Sequence, residues 1–177
     1  MTSGTGSPIA IMAASGDISE FSGHFAVGDE VAVFRGVPLI FLSLGNTDPG
    51  DRFTISSFLL DRGCTVGGRN SRGQTALHIL FGQVRQDAAQ MTVLCRRLIE
   101  RGVDPAAEDA SGVTATQELI GSKLGDDNLS DVFDVWFSQP SLSFDRPNKA
   151  GFSPLDLARK RPYRSEMVRR MNEYSNA

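Results

Sequence analysis

Two histidines, two cysteines and a knot of aspartates are the side chains in this sequence that could do chemistry. His78, in "TALHILF", would serve as a general base if Asp61 or Asp87 oriented its ring. A lone imidazole serves equally as a structural hydrogen-bonding group, and no spacing here supplies a nucleophile for it. His24 stands near Asp29 and Glu30, but zinc centres want three or four ligands at a readable spacing. Cys95, in "VLCRRLIE", has the apolar neighbours of a packed thiol, whereas Cys64 opens a turn-rich stretch and is the better candidate for exposure. A reactive thiol needs a base and a lowered pKa, and neither cysteine has them in the sequence. Asp126, Asp127, Asp131 and Asp134 could chelate calcium, yet the twelve-position ligand order and its terminal Glu are missing. The glycine-bearing "GTGSPI" and "GCTVGG" lack the Lys-Ser/Thr of a phosphate loop. The expectation is no catalytic residue, no metal site and no cofactor.

The bulk properties describe a scaffold that could carry some other function. An apolar content of 40% with 22% charged residues is that of a folded domain. No apolar run approaches the roughly 20 residues that span a bilayer. The opening "MTSGTGSPIAIMAASGD" lacks the basic start of a signal peptide, and two cysteines cannot build a disulfide framework. These features predict a cytoplasmic protein that is not a membrane protein. The net charge of −3 hides a strong segregation. Residues 1–34 carry no Lys or Arg, residues 104–145 hold nine acids against Lys123 alone, and residues 146–177 are rich in Arg. The run "RKRPYRSEMVRRM", with Tyr163, invites a nucleic-acid reading, but a chain with pI near 5.4 argues against it. A polar end-cap helix explains the run better.

The chain also repeats itself. "SPIAIMAA", "VPLIFL", "TALHIL", "TATQEL" and "SPLDLA" each place Pro or Ala after a small or branched residue, then an apolar turn. Their anchors lie at 8, 38, 76, 115 and 154, and such a period is the mark of stacked units. Ser or Thr can cap a helix entrance, and Pro costs nothing at the first helical position. A second helix is predicted at 53–61, 87–100, 129–137 and 164–174. Val93, Leu94, Leu98 and Ile99 form the expected buried face of the second of these. Arg62-Gly63 and Arg101-Gly102 end two of them with a residue suited to the left-handed cap. Between the helix pairs, Gly63–Gly73 and Gly102–Gly112 span the same ten positions, with 141–151 as a weaker copy. These read as turn-rich fingers.

On these residues the chain resembles the ankyrin repeat, whose unit is a finger and two antiparallel helices with a T-P-L-H-x-A signature. "RNSRGQTALHI" and "RGVDPAAEDASGVTA" carry the likeness most clearly. The resemblance implies an all-α ankyrin-repeat solenoid of about five helix-pair repeats with extended finger hairpins. It occupies residues 1–177 as one domain, with repeats starting near 7, 37, 75, 114 and 153. Only the third repeat keeps the signature His, as His78; the others have Ala10, Ile40, Gln117 and Asp156. There the resemblance implies a structural His that ties neighbouring repeats. Repeats two to four exceed the family period, and the excess falls in "GNTDPGDRF", "GQVRQDAAQ" and "GSKLGDDNLS". "FAVGDEVAVFRG" reads as an irregular finger.

The resemblance further implies a non-catalytic protein-binding module whose finger tips and inner helices line a concave wall. Carried over residue by residue, the partner-facing positions are Ser71, Arg72, Gln74, Gln83 and Arg85, then Ala110, Ser111, Val113, Ser122 and Lys123. Lys149, Ala150, Phe152, Lys160 and Arg161 complete them. Phe152 reads either as a binding anchor or as packing under a finger, and Trp136 as core or as a hot spot. The expected role is an immunity protein or inhibitor on a cognate bacterial toxin, with Asp126, Asp127 and Asp131 facing a basic partner surface. The alternative is a regulatory or scaffolding adaptor, or a host-delivered effector, for an endogenous protein. Either would act as a monomer on another protein and not on nucleic acid.

Overall fold

The computed structural model describes residues 7–176, which leaves residues 4–6 of "GTGSPI" outside the described part. It is mostly helical. Five short helices, α1 (Pro8–Ser15), α3 (Leu39–Leu44), α5 (Ala76–Phe81), α7 (Ala115–Ile120) and α9 (Pro154–Arg159), pack side by side in chain order. Their partners α2 (Ile18–His24), α4 (Pro49–Asp61), α6 (Ala88–Glu100), α8 (Ser130–Phe137) and α10 (Ser165–Ser175) form a second row. Each helix touches the equivalent helix before and after it, so one apolar core runs continuously between the rows. Among the described residues, no helix is long and apolar enough to cross a membrane.

The entrances of the helices explain why they start where they do. Asp17 accepts from the Glu20 amide, while Glu20 reaches back to the Asp17 amide. This capping box starts α2, a helix the sequence reading passed over. Asp48 accepts from the amides of Gly50 and Asp51, which begins α4 at Pro49 and not at Phe53. Much of the apparent loop "GNTDPGDRF" is therefore helix. On α6 the buried positions are Met91, Leu94, Cys95 and Leu98, an i, i+3, i+4, i+7 stripe. Val93, expected inside, faces outward at 43% exposure, because Cys95 and not Val93 keeps that spacing.

The long connections between paired helices are tied down by buried arginines. Arg52 donates from Nε to the Asn46 carbonyl at 2.9 Å and from Nη1 to the Arg85 carbonyl at 2.8 Å. Arg164, fully buried at the start of α10, donates to the carbonyls of Ile120, Ser122 and Leu124. A buried guanidinium needs such partners, since an unsatisfied polar group costs about 1–3 kcal/mol or more. Each connection is thus fastened by a side chain from the connection or helix beside it.

The fingers are less extended than expected. The described residues contain one two-stranded hairpin, β1 (Val33–Phe34) paired antiparallel with β2 (Val37–Pro38), and an isolated bridge between Glu108 and Thr114. In three fingers the amides of Asn70, Asp109 and Asn148 donate across the turn to the carbonyls of Gln74, Val113 and Phe152, while the return amide goes to a side-chain oxygen and no ladder continues.

Candidate partner-binding face

Three fingers share one internal design. Asn70 Oδ1 accepts from the amides of Arg72 and Gln74, Asp109 Oδ1 from Ser111 and Val113, and Asn148 Oδ1 from Ala150 and Phe152. These are the Asx turns that short polar side chains favour. Fingers also bond to one another: the Ala110 amide donates to the Arg72 carbonyl and the Lys149 amide to the Ser111 carbonyl, both at 2.9 Å. Gly73 sits at φ +75°, and a Cβ there would lie 2.7 Å from the Ala110 amide nitrogen. A side chain would therefore strain the backbone and push the next finger away.

His78 belongs to this framework. Its Nδ1 accepts from Thr75, and Nε2 donates to the Val113 carbonyl of the next finger at 2.9 Å. The ring is buried and has neither Asp61 nor Asp87 as a hydrogen-bond partner; burial pushes its pKa below the usual imidazole value. Gln117 repeats both bonds, accepting from the Thr114 amide and donating to the Phe152 carbonyl at 3.0 Å. His24 is exposed and hydrogen-bonds the Glu20 carbonyl, while Asp29 and Glu30 accept from nearby amides. Cys64, expected to be the more exposed thiol, is buried like Cys95. Burial drives the two thiols up to about 11 and about 12, away from the nucleophilic range.

The candidate contact positions divide into three groups. Ser71, Arg72, Ala110, Ser111, Lys149 and Ala150 are exposed on the fingers, and Arg85, Lys123 and Lys160 are exposed where inner helices end. Gln83, Val113 and Arg161 are half-buried. Gln74 and Ser122 are buried instead of outward-facing. Gln74 is drawn in by Asn70, whose Nδ2 donates to its Oε1 at 3.0 Å, and Ser122 by the Arg164 guanidinium on its carbonyl. Phe152 remains 39% exposed, with the Lys160 ammonium 4.0 Å from its ring centroid.

The acidic strip does not behave as one surface. Asp126 is buried, accepts from Arg164 Nη1 at 3.0 Å, and caps α10 through the amides of Glu166 and Met167. It is consumed inside the fold, because the guanidinium needs a counter-charge and the helix needs a cap. Asp127 and Asp131 are exposed, and Asp131 belongs to α8 in the outer row. Trp136 is core: its ring is fully buried against Phe81, and Nε1 donates to Thr116 Oγ1.

Two further surface features matter: Tyr163, weighed in the sequence only for nucleic acid, and a groove that no sequence pattern announced. Tyr163 is exposed beside Arg161, whose Nη1 donates to its hydroxyl at 2.8 Å. An open apolar groove of about 740 Å³ lies between α1 and the β1–β2 hairpin, walled by Ile11, Val33, Phe34 and Leu42 with Arg35 at its lip. Its wall residues lie far apart in sequence, so no linear pattern announces it.

No protein-family model matches the chain. It is 29% identical over 127 residues to ankyrin repeat domain-containing protein 63 of Mus musculus and, to the same extent, to that of Homo sapiens. The match takes in 72% of this chain and 30% and 31% of those proteins, so the chain spans about a third of the length of the curated relatives it matches. A solved structure of a functionally unknown protein from Leptotrichia buccalis C-1013-b superposes with a TM-score of 0.82 at 21% identity, covering 95% of this chain and 92% of that one. That likeness is one of fold.

Proposed function

We propose that this chain is a five-unit ankyrin-type solenoid that binds another protein through its fingers and inner helices, without catalysis. The observation that carries the reading is the division of labour among side chains. Polar groups that hold the fingers in register, His78, Gln117 and Asn70 among them, are spent on framework hydrogen bonds, while Arg72, Ser111, Lys123, Lys149 and Phe152 are exposed. A rigid framework presenting adaptable surface residues suits macromolecular recognition, since little ordering entropy is lost on binding. The similarity to ankyrin repeat domain-containing proteins supports the same class.

Within that class the finer readings are a monomeric cytoplasmic inhibitor of a bacterial toxin and an adaptor for an endogenous protein. The burial of Asp126 favours the adaptor, because it removes one of the three acids meant to meet a basic toxin. The test is site-specific photocrosslinking in the cell of origin, with benzoylphenylalanine in place of Phe152 or Arg85 and, for comparison, of Arg96 in the outer row. Discrete protein adducts from the first two positions alone would support the reading. Adducts of equal yield from Arg96, or none from any position, would sink it. An adduct that arrests growth when expressed alone would favour the inhibitor; a harmless one would favour the adaptor.

A further inference from the structure

We infer that the partner of this face is acidic, and that it is held at the end of the inner row formed by α9 and the last finger. This rests on the protein-binding reading above and specifies its chemistry.

Several of the chain's cations are already neutralised. In the outer row Arg97 pairs with Asp61, and Arg169 and Arg170 pair with Glu166, Glu173 and Asp134. Arg164 is paired in the interior with Asp126, and Arg146 with Glu108. Lys149, Arg159, Lys160 and Arg161 make no ion pair within 4.0 Å among the described residues, although Lys149, Arg159 and Lys160 are exposed and Arg161 half-buried. One carboxylate, Asp156, lies among them, and it is occupied by the Ser153 hydroxyl and amide. Four cations against one engaged carboxylate leave a local positive surface on a chain of net charge −3.

The second observation concerns aromatics. Of the large hydrophobic side chains exposed among the described residues, the two aromatic ones are Phe152 and Tyr163. Both stand in this patch, each against one of its cations: Lys160 over the Phe152 ring, Arg161 on the Tyr163 hydroxyl. Aromatic and Arg side chains dominate binding energy at protein interfaces, and unpaired cations there recruit partners of opposite charge. Phe152 is also held in place from below, since its carbonyl accepts from Gln117 and its amide donates to Asn148. The anchor therefore loses little freedom on contact. A protein segment carrying Asp or Glu beside apolar residues fits such a surface. A nucleic acid fits less well, because four cations on an otherwise acidic chain neutralise few phosphates.

The experiment uses the full 15N-labelled chain and three probes: a twelve-residue peptide alternating Glu with Leu and Phe, its counterpart with Lys for Glu, and a twelve-base-pair DNA duplex. The acidic peptide is expected to shift the amide resonances of Lys149, Phe152, Lys160, Arg161 and Tyr163. Its affinity should fall tenfold or more in the Lys160→Glu, Arg161→Glu double variant and stay unchanged in Arg96→Glu. Dispersed spectra of both variants confirm that they fold. Equal binding of the Lys peptide, tighter binding of the duplex, or shifts centred elsewhere would overturn the inference. So would shifts of the same residues on raising protein concentration alone, which would name a second copy as the occupant. Photocrosslinks from Phe152 without acidic-peptide binding would leave the protein-binding reading standing and remove only the acidic preference.

Discussion

His78 and Gln117 make the same bond in successive units: each donates a side-chain N–H to a backbone carbonyl thirty-five residues further along the chain, at 2.9 Å and 3.0 Å. The imidazole and the carboxamide both place an acceptor toward the helix entrance and a donor toward the next finger. What the framework selects at this position is that pair of functions, not the ring. In the last helix pair Asp156 occupies the same place with an acceptor-only carboxylate, and it only closes a capping box with Ser153.

The titration of His78 gives a first prediction. Burial depresses its folded pKa below the ordinary value of about 6.5, so the unfolded chain binds the proton first. Its contribution is present above that value and declines as pH falls through about 6.5 toward the folded pKa. His78→Gln should keep the link to Val113 and flatten this part of the pH profile. Urea midpoints at pH 7.5, 6.5 and 5.5 for the two chains measure it; identical slopes would refute the assignment.

Glycines at the finger tips should differ according to what lies beyond them. Gly151, at φ +83°, has open space around it, so Gly151→Ala should cost about 1–2 kcal/mol from backbone strain alone. Gly73→Ala adds a collision with the Ala110 amide and should cost more, by about 1 kcal/mol or beyond. Denaturant midpoints at constant m-value test the order, and equal losses would contradict finger-to-finger contact.

Arg164 is predicted to be the most sensitive charged residue in the chain. Arg164→Met strands Asp126 and three carbonyls in the interior, for an expected loss of about 3–5 kcal/mol. Asp126→Asn keeps an acceptor for α10 and should cost less. A double-mutant cycle should show strong coupling; additive losses would mean that the two residues act independently.

Neither cysteine should react while the chain is folded. With thiols raised to about 11 and about 12 and both buried, Ellman's reagent at pH 8 should label none in the native state and two in urea. Fast labelling of Cys64 in native protein would show that the last turn of α4 opens locally.

How much of this was readable in advance follows from the range of the interactions involved. Helix entrances, glycine caps and the recurring apolar turns depend on residues within four or five positions, and the repeated "TALHIL"-like segments exposed them directly. The exceptions are local too: α2 starts from an Asp–Glu capping box without the Pro or Thr of the recurring segments, and Val93 has a core residue's character but not the spacing that Cys95 keeps. The contact positions are less legible, since Gln74, Ser122 and Asp126 are polar and linearly indistinguishable from exposed neighbours. Their burial depends on Asn70 and on Arg164, the latter about forty residues from Ser122 and Asp126.

By itself, then, the sequence determined the succession of helix pairs and turn-rich fingers, because caps, glycines and apolar periodicity act over a single turn of chain. Tertiary structure alone decided which charges are spent inside and which remain for a partner. A guanidinium or carboxylate carries no mark of its counter-ion. Whether Arg164 meets Asp126, or Lys160 lies over the Phe152 ring, is settled only when the chain is packed.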